Sequence, residues 1–155
     1  LPSRFLARSP VMATVGRLDA DTSGLLLLTD DGTLNHRLTS PKWHSPKTYE
    51  ATLAEPLGGR EVEQFASGTL MLEGETTPLQ PASLRVLSDQ RVQLTIHEGR
   101  YHQVRRMFAA MGNHVLTLTR LAMGPLTLGD LAVGEWRVLT ADDVAALRAS
   151  LQRRR

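Results

Sequence analysis

The spacing of the hydrophobic residues changes from strand-like to helical across Gly99, and that change constrains the fold more than any other feature of the chain. Before it, Val92, Leu94 and Ile96 alternate with Gln93 and Thr95, which puts three apolar side chains on one face of a strand. After it, Val104, Met107, Phe108 and Met111 recur at helical spacing and form one stripe. Gly99 lets the backbone turn at the junction, and Gly112-Asn113 ends the helix. A one-faced strand leading into an amphipathic helix requires further strands to complete the sheet.

The pattern supplies them. Residues 84–87 and 91–96 read as a hairpin turning at Ser88-Asp89-Gln90, and residues 48–53 and 115–121 as further strands. Residues 136–139 read as a last strand, and residues 11–15 as a short one. Residues 25–29 read as a strand buried on both faces. Helices are expected after Asp31, which caps a segment carrying Leu34 and Leu38 and stopped by Ser40-Pro41, and over residues 61–66, closed by Gly68. Another follows Thr140, with Asp143 at the capping-box position and Val144, Leu147 and Leu151 as its stripe. The expectation is one α+β domain over residues 1–155, with helices on a mixed, largely antiparallel sheet.

A chain of 155 residues can bury a core without metal or disulfide staples. It contains no cysteine, which excludes a disulfide framework, a cysteine nucleophile and thiolate-held zinc or iron–sulfur. No apolar run, Leu25 to Leu28 included, is long enough to span a membrane, and no segment reads as a signal peptide. A reducing cytoplasm fits this composition. The chain starts at Leu1 rather than Met, so it is expected to begin inside a longer protein. The net charge is only +2, so the positions of the cations say more than their number. Arg100, Arg105 and Arg106 lie together, as do Lys42 and Lys47, and Arg153-Arg154-Arg155 reads as a solvated tail.

Three segments could carry chemistry. Gly16-Arg17-Leu18-Asp19-Ala20-Asp21-Thr22-Ser23-Gly24 is a polar, glycine-bounded loop between strand-like segments. Such a loop can present a carboxylate at a sheet end, or simply form a surface turn in which Arg17 pairs locally. Asp19, Asp21, Ser23, Gly24 and Asp30 also fall at calcium-loop positions. The closing residue should be glutamate, the ninth position is Leu27, and no helix precedes the loop, so no metal is expected. Lys47-Thr48-Tyr49-Glu50 holds one of only two tyrosines. Glu98-Gly99-Arg100-Tyr101-His102-Gln103-Val104-Arg105-Arg106-Met107-Phe108 puts His102, Arg105 and Arg106 on the side of the helix opposite the apolar stripe, where they suit RNA phosphates or an ordinary wet face. His97 and His102 lack the geometry and the third partner that zinc needs.

In this order the three segments resemble the motifs of the RsuA-type pseudouridine synthases, and the similarity continues through Gly112-Asn113-His114-Val115 and Gly134-Glu135. The resemblance implies a pseudouridine synthase-like catalytic domain, with an S4-like RNA-binding module and a first catalytic strand expected upstream of Leu1. It implies Asp19 as the essential carboxylate, Tyr49 as the active-site tyrosine and Arg105 as the basic residue facing Asp19. Arg17, Lys47, Arg100, His102, Gln103 and Arg106 become the candidates for holding RNA. The implied reaction isomerises uridine, needs no cofactor, and takes ribosomal RNA or a pre-ribosomal particle as partner, in a cytoplasmic monomer. Asp30-Asp31-Gly32 and Met107-Phe108-Ala109-Ala110 are most similar to the branch acting on 16S ribosomal RNA. Action on 23S RNA, or RNA binding without catalysis, are the alternatives.

Overall fold

The computed structural model describes residues 1–7 and 9–153. In chain order the elements are α1 (Ser3–Leu6), β1 (Ala13–Thr14), β2 (Thr22–Gly24), β3 (Leu28–Thr29), α2 (Gly32–Thr39), β4 (Trp43–His44), β5 (Lys47–Leu53) and α3 (Glu61–Ala66). They continue with β6 (Ser83–Ser88), β7 (Arg91–Ile96), α4 (Gln103–Ala110), β8 (Val115–Met123), β9 (Leu126–Thr127), α5 (Ala141–Ser150) and β10 (Gln152–Arg153).

The alternation in β7 has the expected consequence: Val92, Leu94 and Ile96 are buried. β7 pairs antiparallel with β6 and β5, and β5 pairs antiparallel with β8. β8 then runs parallel to β2 and antiparallel to β9. The sheet order is β2-β8-β5-β7-β6, mixed but largely antiparallel as expected. Val104, Met107 and Phe108 of α4 and Phe65 of α3 close over this sheet, the two phenyl rings meeting edge to face at 5.2 Å. Burying a side chain of this size stabilises the fold by roughly 1.5–3 kcal/mol.

A second cluster joins Val15, Leu25, Leu27, Leu34, Leu38, Met123, Leu126 and Leu147. Its helices are capped as expected. Asp31 accepts the Leu34 amide at 3.0 Å, and Thr140 and Asp143 form a reciprocal capping box on α5.

Two expectations fail. Residues 25–29 are not a strand buried on both faces: β2 ends at Gly24, Leu25 and Leu27 are buried, and Leu28 is exposed. After the Leu25 amide donates to the Arg120 carbonyl, the chain leaves the sheet and β3 pairs with β1 instead. Residues 136–139 form no strand. Trp136 sets its ring edge-on to Phe5 of α1 at 5.2 Å, and Val138 is exposed. The last strand is β10, beside β4. Arg154 and Arg155 of the basic tail lie outside the described residues.

Candidate active site

Asp19 sits on a loop whose far end is fixed to the sheet. Its carbonyl accepts the Thr22 amide at 2.9 Å, and Thr22–Gly24 then aligns with Leu118 to Arg120 of β8. Gly24 adopts φ +114°, and a Cβ there would stand 2.2 Å from the Arg120 carbonyl oxygen, so no other residue allows this approach. The Leu25 amide donates to that carbonyl at 2.9 Å, and Arg120 Nε donates back to the Leu25 carbonyl at 2.8 Å. Arg120 is only 2% exposed, and its Nη2 is buried without a partner. The sequence reading overlooked this arginine. The signal was available: Arg120 follows Leu118 by two, which places a cation on the apolar face of a strand.

Tyr49 is half-buried on β5 and packs against the sheet cluster. Its register partners are Leu94 on β7 and Arg120 on β8, so Tyr49 and Arg120 are cross-strand neighbours on one face. Lys47 stands at the start of the same strand, its amine 3.8 Å from where a Cβ on Gly99 would lie.

The third segment meets the Asp19 loop from the other side. His102 precedes α4 in a left-handed conformation, φ +46°, and its Nε2 lies 3.6 Å from Asp19 Oδ1. Arg105 does not face Asp19 as expected. Its Nη2 pairs with the Asp21 carboxylate at 3.2 Å, and its Nη1 donates to the Val115 carbonyl at 3.0 Å. The carbonyl on β8 holds the guanidinium over the second aspartate of the loop, leaving Asp19 to His102.

Three of the residues expected to bind RNA have partners within the protein. Gln103 is buried; its side-chain carbonyl accepts the Arg100 amide at 3.0 Å and its NH₂ donates to Glu98 at 3.1 Å. It stabilises the Gly99 turn from inside. Arg100 pairs with Glu98 and Glu75 and donates to the Thr77 and Pro78 carbonyls. Arg106 pairs with Glu75 and donates to the Glu73 and Tyr101 carbonyls. These two arginines tie the segment 73–78 to the start of α4, with their charges met by carboxylates. Arg17 remains exposed on the Asp19 loop, and His102 and Lys47 are partly exposed.

The loop does not have the shape of a cation cage. Thr22–Gly24 is strand, and Ser23 Oγ is hydrogen-bonded to Thr119 Oγ1 at 3.0 Å, so the side chain that would be the third oxygen ligand is directed at the sheet. Among the described residues no group of three His, Cys, Asp or Glu converges as a metal site. What the arrangement offers is the Asp19 carboxylate beside the His102 imidazole and the Arg105 guanidinium on Asp21 of the same loop, with Tyr49 and Arg120 neighbours on the strands that hold the end of that loop.

The family model for RNA pseudouridylate synthase matches residues 2–110. A ribosomal small subunit pseudouridine synthase A from Pasteurella multocida is 54% identical over 133 residues, covering 85% of this chain and 57% of the relative. The protein of the same name from Escherichia coli strain K12 is 53% identical over 133 residues, again covering 85% of this chain and 57% of the relative. This chain therefore spans little more than half the length of those relatives. A crystal structure of a pseudouridylate synthase superposes with a TM-score of 0.84 at 51% identity, over 88% of this chain and 59% of the other. The human RNA pseudouridylate synthase domain containing 1 shares the fold, with a TM-score of 0.54 at 19% identity over 94% of this chain and 84% of the other. The fold, the loop and the helix that meets it, together with these similarities, make the chain a member of the RNA pseudouridylate synthase family.

Proposed function

We propose that the protein isomerises a uridine of 16S ribosomal RNA to pseudouridine. The observation that carries the proposal is the meeting of the Gly-Arg-Leu-Asp loop with the His-Gln-Val-Arg helix, in a chain more than half identical to small-subunit synthases. The N1–C1′ bond breaks, the uracil turns over, C5 bonds to C1′, and the C5 proton leaves. Asp19 serves as nucleophile at C1′ or as base toward the 2′ hydrogen. Both roles use the carboxylate oxygens, one of which lies 3.6 Å from the His102 imidazole. Arg105 acts by fixing the loop through Asp21 and keeping positive charge two residues from Asp19. Tyr49 supplies the ring against which the flipped uracil stacks. Arg17, Lys47 and His102 have the exposure to meet phosphates, whereas Arg100, Arg106 and Gln103 build the scaffold. The setting is the cytoplasm, the partner ribosomal RNA or a pre-ribosomal particle, and the working unit a monomer.

The test is tritium release from 5-tritiated uridine in small-subunit RNA by the full-length protein, with large-subunit RNA as comparator. Release from the small-subunit RNA, abolished in Asp19→Asn while RNA binding and folding persist, is the expected outcome. The amide is nearly isosteric but neither nucleophile nor base. Release from the large-subunit RNA alone would move the substrate to the sister branch, and binding without release from either would leave an RNA-binding domain.

A further inference from the structure

Tyr101 is 76% exposed, the most open aromatic side chain among the described residues. A single exposed aromatic needs no explanation in itself. What distinguishes this one is its packing. Its ring lies parallel to the His102 imidazole, with centroids 3.9 Å apart and planes 14° from coplanar. His102 is the one non-glycine residue of the described chain with positive φ, a backbone conformation that costs free energy and persists only where the surroundings enforce it. The same imidazole reaches Asp19 at 3.6 Å. A flat ring, an imidazole beneath it and the reactive carboxylate therefore form one continuous row, with the outer ring facing water.

An enzyme that acts on a base held in an RNA strand must take that base out of its stack, and the base next to it then loses a stacking partner. Aromatic side chains satisfy such faces with little regard to sequence, because every base has a π-face. We propose that the open face of Tyr101 receives the nucleobase adjoining the target uridine, and that His102 backs the ring and ties this subsite to Asp19. The ligand is a purine or pyrimidine ring of the RNA strand. This subsite rests on the RNA-modifying function proposed above. The strained His102 gains a purpose within it: the left-handed turn swings the imidazole under Tyr101 while still leaving Nε2 beside the carboxylate.

The test uses the full-length protein and a substrate RNA carrying 2-aminopurine, in turn 5′ and 3′ of the target uridine. With the non-reacting Asp19→Asn protein, quenching of 2-aminopurine fluorescence on binding is expected at one of the two positions, and Tyr101→Ala in the same background should remove it. In the active protein, Tyr101→Ala should raise KM roughly tenfold, the order of one base–aromatic stack, with kcat within about twofold. Tyr101→Phe and Tyr101→Trp should keep the wild-type KM. Replacing the quenched base by an abasic nucleotide should make wild type and Tyr101→Ala equal. Unchanged quenching in Tyr101→Ala would overturn the proposal, as would a KM penalty that persists on the abasic RNA. So would a loss of kcat that Tyr101→Phe does not restore, because the ring would then be serving the backbone of His102. Quenching by the wild type without tritium release would instead refute the proposed reaction and leave the stacking site standing.

Discussion

The two hydrophobic clusters of this fold are built in different ways. The larger one lies under α3 and α4 and draws on strands of six to nine residues, whose apolar positions follow a simple period. The smaller draws Val15, Leu25 and Leu27 from segments beside short strands, Met123 from the end of β8, Leu126 from β9, and Leu34, Leu38 and Leu147 from two capped helices. Tyr49, His102 and Arg105 belong to elements of the larger cluster, while Asp19 belongs to the loop leading into the smaller one. The candidate site is therefore a joint. β8 runs through both clusters, with Leu118 in one and Met123 in the other, and Arg120 between them clamps the end of the Asp19 loop. The position of Asp19 relative to its partners depends on that seam more than on either core.

The strongest way to break the joint is Gly24→Ala. The added Cβ would overlap the Arg120 backbone, and φ +114° is unfavourable for any L side chain. The expected loss is about 3 kcal/mol or more, from strain and overlap together. Turnover should fall even at temperatures where the larger cluster stays folded. Denaturant unfolding beside tritium release would measure both, and a variant of near-wild-type stability and rate would show that the seam is not rigid.

Truncations within each core compare the clusters directly. Phe108→Ala removes a fully buried ring that meets Phe65, and should cost roughly 3–5 kcal/mol. Leu38→Ala, in the smaller cluster, should cost roughly 2–3 kcal/mol, with exchange protection lost first in α2 and β3. If both variants lowered protection equally everywhere, the two clusters would be one cooperative unit.

This division also explains what the sequence disclosed. β5, β7 and α4 were legible because one face of each is buried and the spacing of the apolar residues repeats, and β6 was legible as the other arm of the hairpin. Residues 25–29 were misread because Leu25 and Leu27 are buried by partners far away in the chain, not by neighbours in a strand. The Asp19 loop and the α4 segment were legible as motifs, and the structure brings them together. Their pairing was not legible: Arg105 faces Asp21 because the Val115 carbonyl holds it there, and that contact crosses from α4 to β8. Arg106 looked like a surface group on the helical face opposite the apolar stripe, and Arg100 and Gln103 entered through the resemblance. The contacts of the two arginines to the segment 73–78, and of Gln103 to Glu98, are ones that spacing alone cannot place.

Arg105 and Arg106 sharpen the comparison at the site itself. Arg105→Ala should leave Asp21 and the Val115 carbonyl without their partner and cut the rate severely, while Arg105→Lys keeps the charge but not the two-pronged contact, and so keeps partial activity. Arg106→Ala should cost about 1 kcal/mol of stability through loss of its contacts to Glu75 and the Glu73 carbonyl, with little effect on the salt dependence of RNA binding. A clear flattening of that salt dependence in Arg106→Ala would return the residue to the RNA interface.

The smallest effect concerns acid. Among the described residues three carboxyls lie below their usual range, and two of them support the smaller cluster. Asp31 is lowered chiefly by the Leu34 amide and then by Arg148, and Asp143 chiefly by the Thr140 amide and then by Arg137. On the larger cluster, burial pushes the Glu61 carboxyl up, but the backbone amides of Gly58, Gly59 and Arg60 together outweigh it. A depressed carboxyl contributes stability above its unfolded pKa, about 4, and loses it as the pH falls through the folded value. Each of these carboxylate contacts should therefore weaken below about pH 4, and the smaller cluster, with two such carboxylates against one, should loosen first. Asp31→Asn and Asp143→Asn should each destabilise slightly at neutral pH and converge on the wild type in acid, because protonation has by then removed the same charge. Melting curves from pH 7 to pH 3 would show this convergence. A constant gap between variant and wild type across that range would mean that the caps act through shape rather than charge, and that the two clusters share the same acid sensitivity.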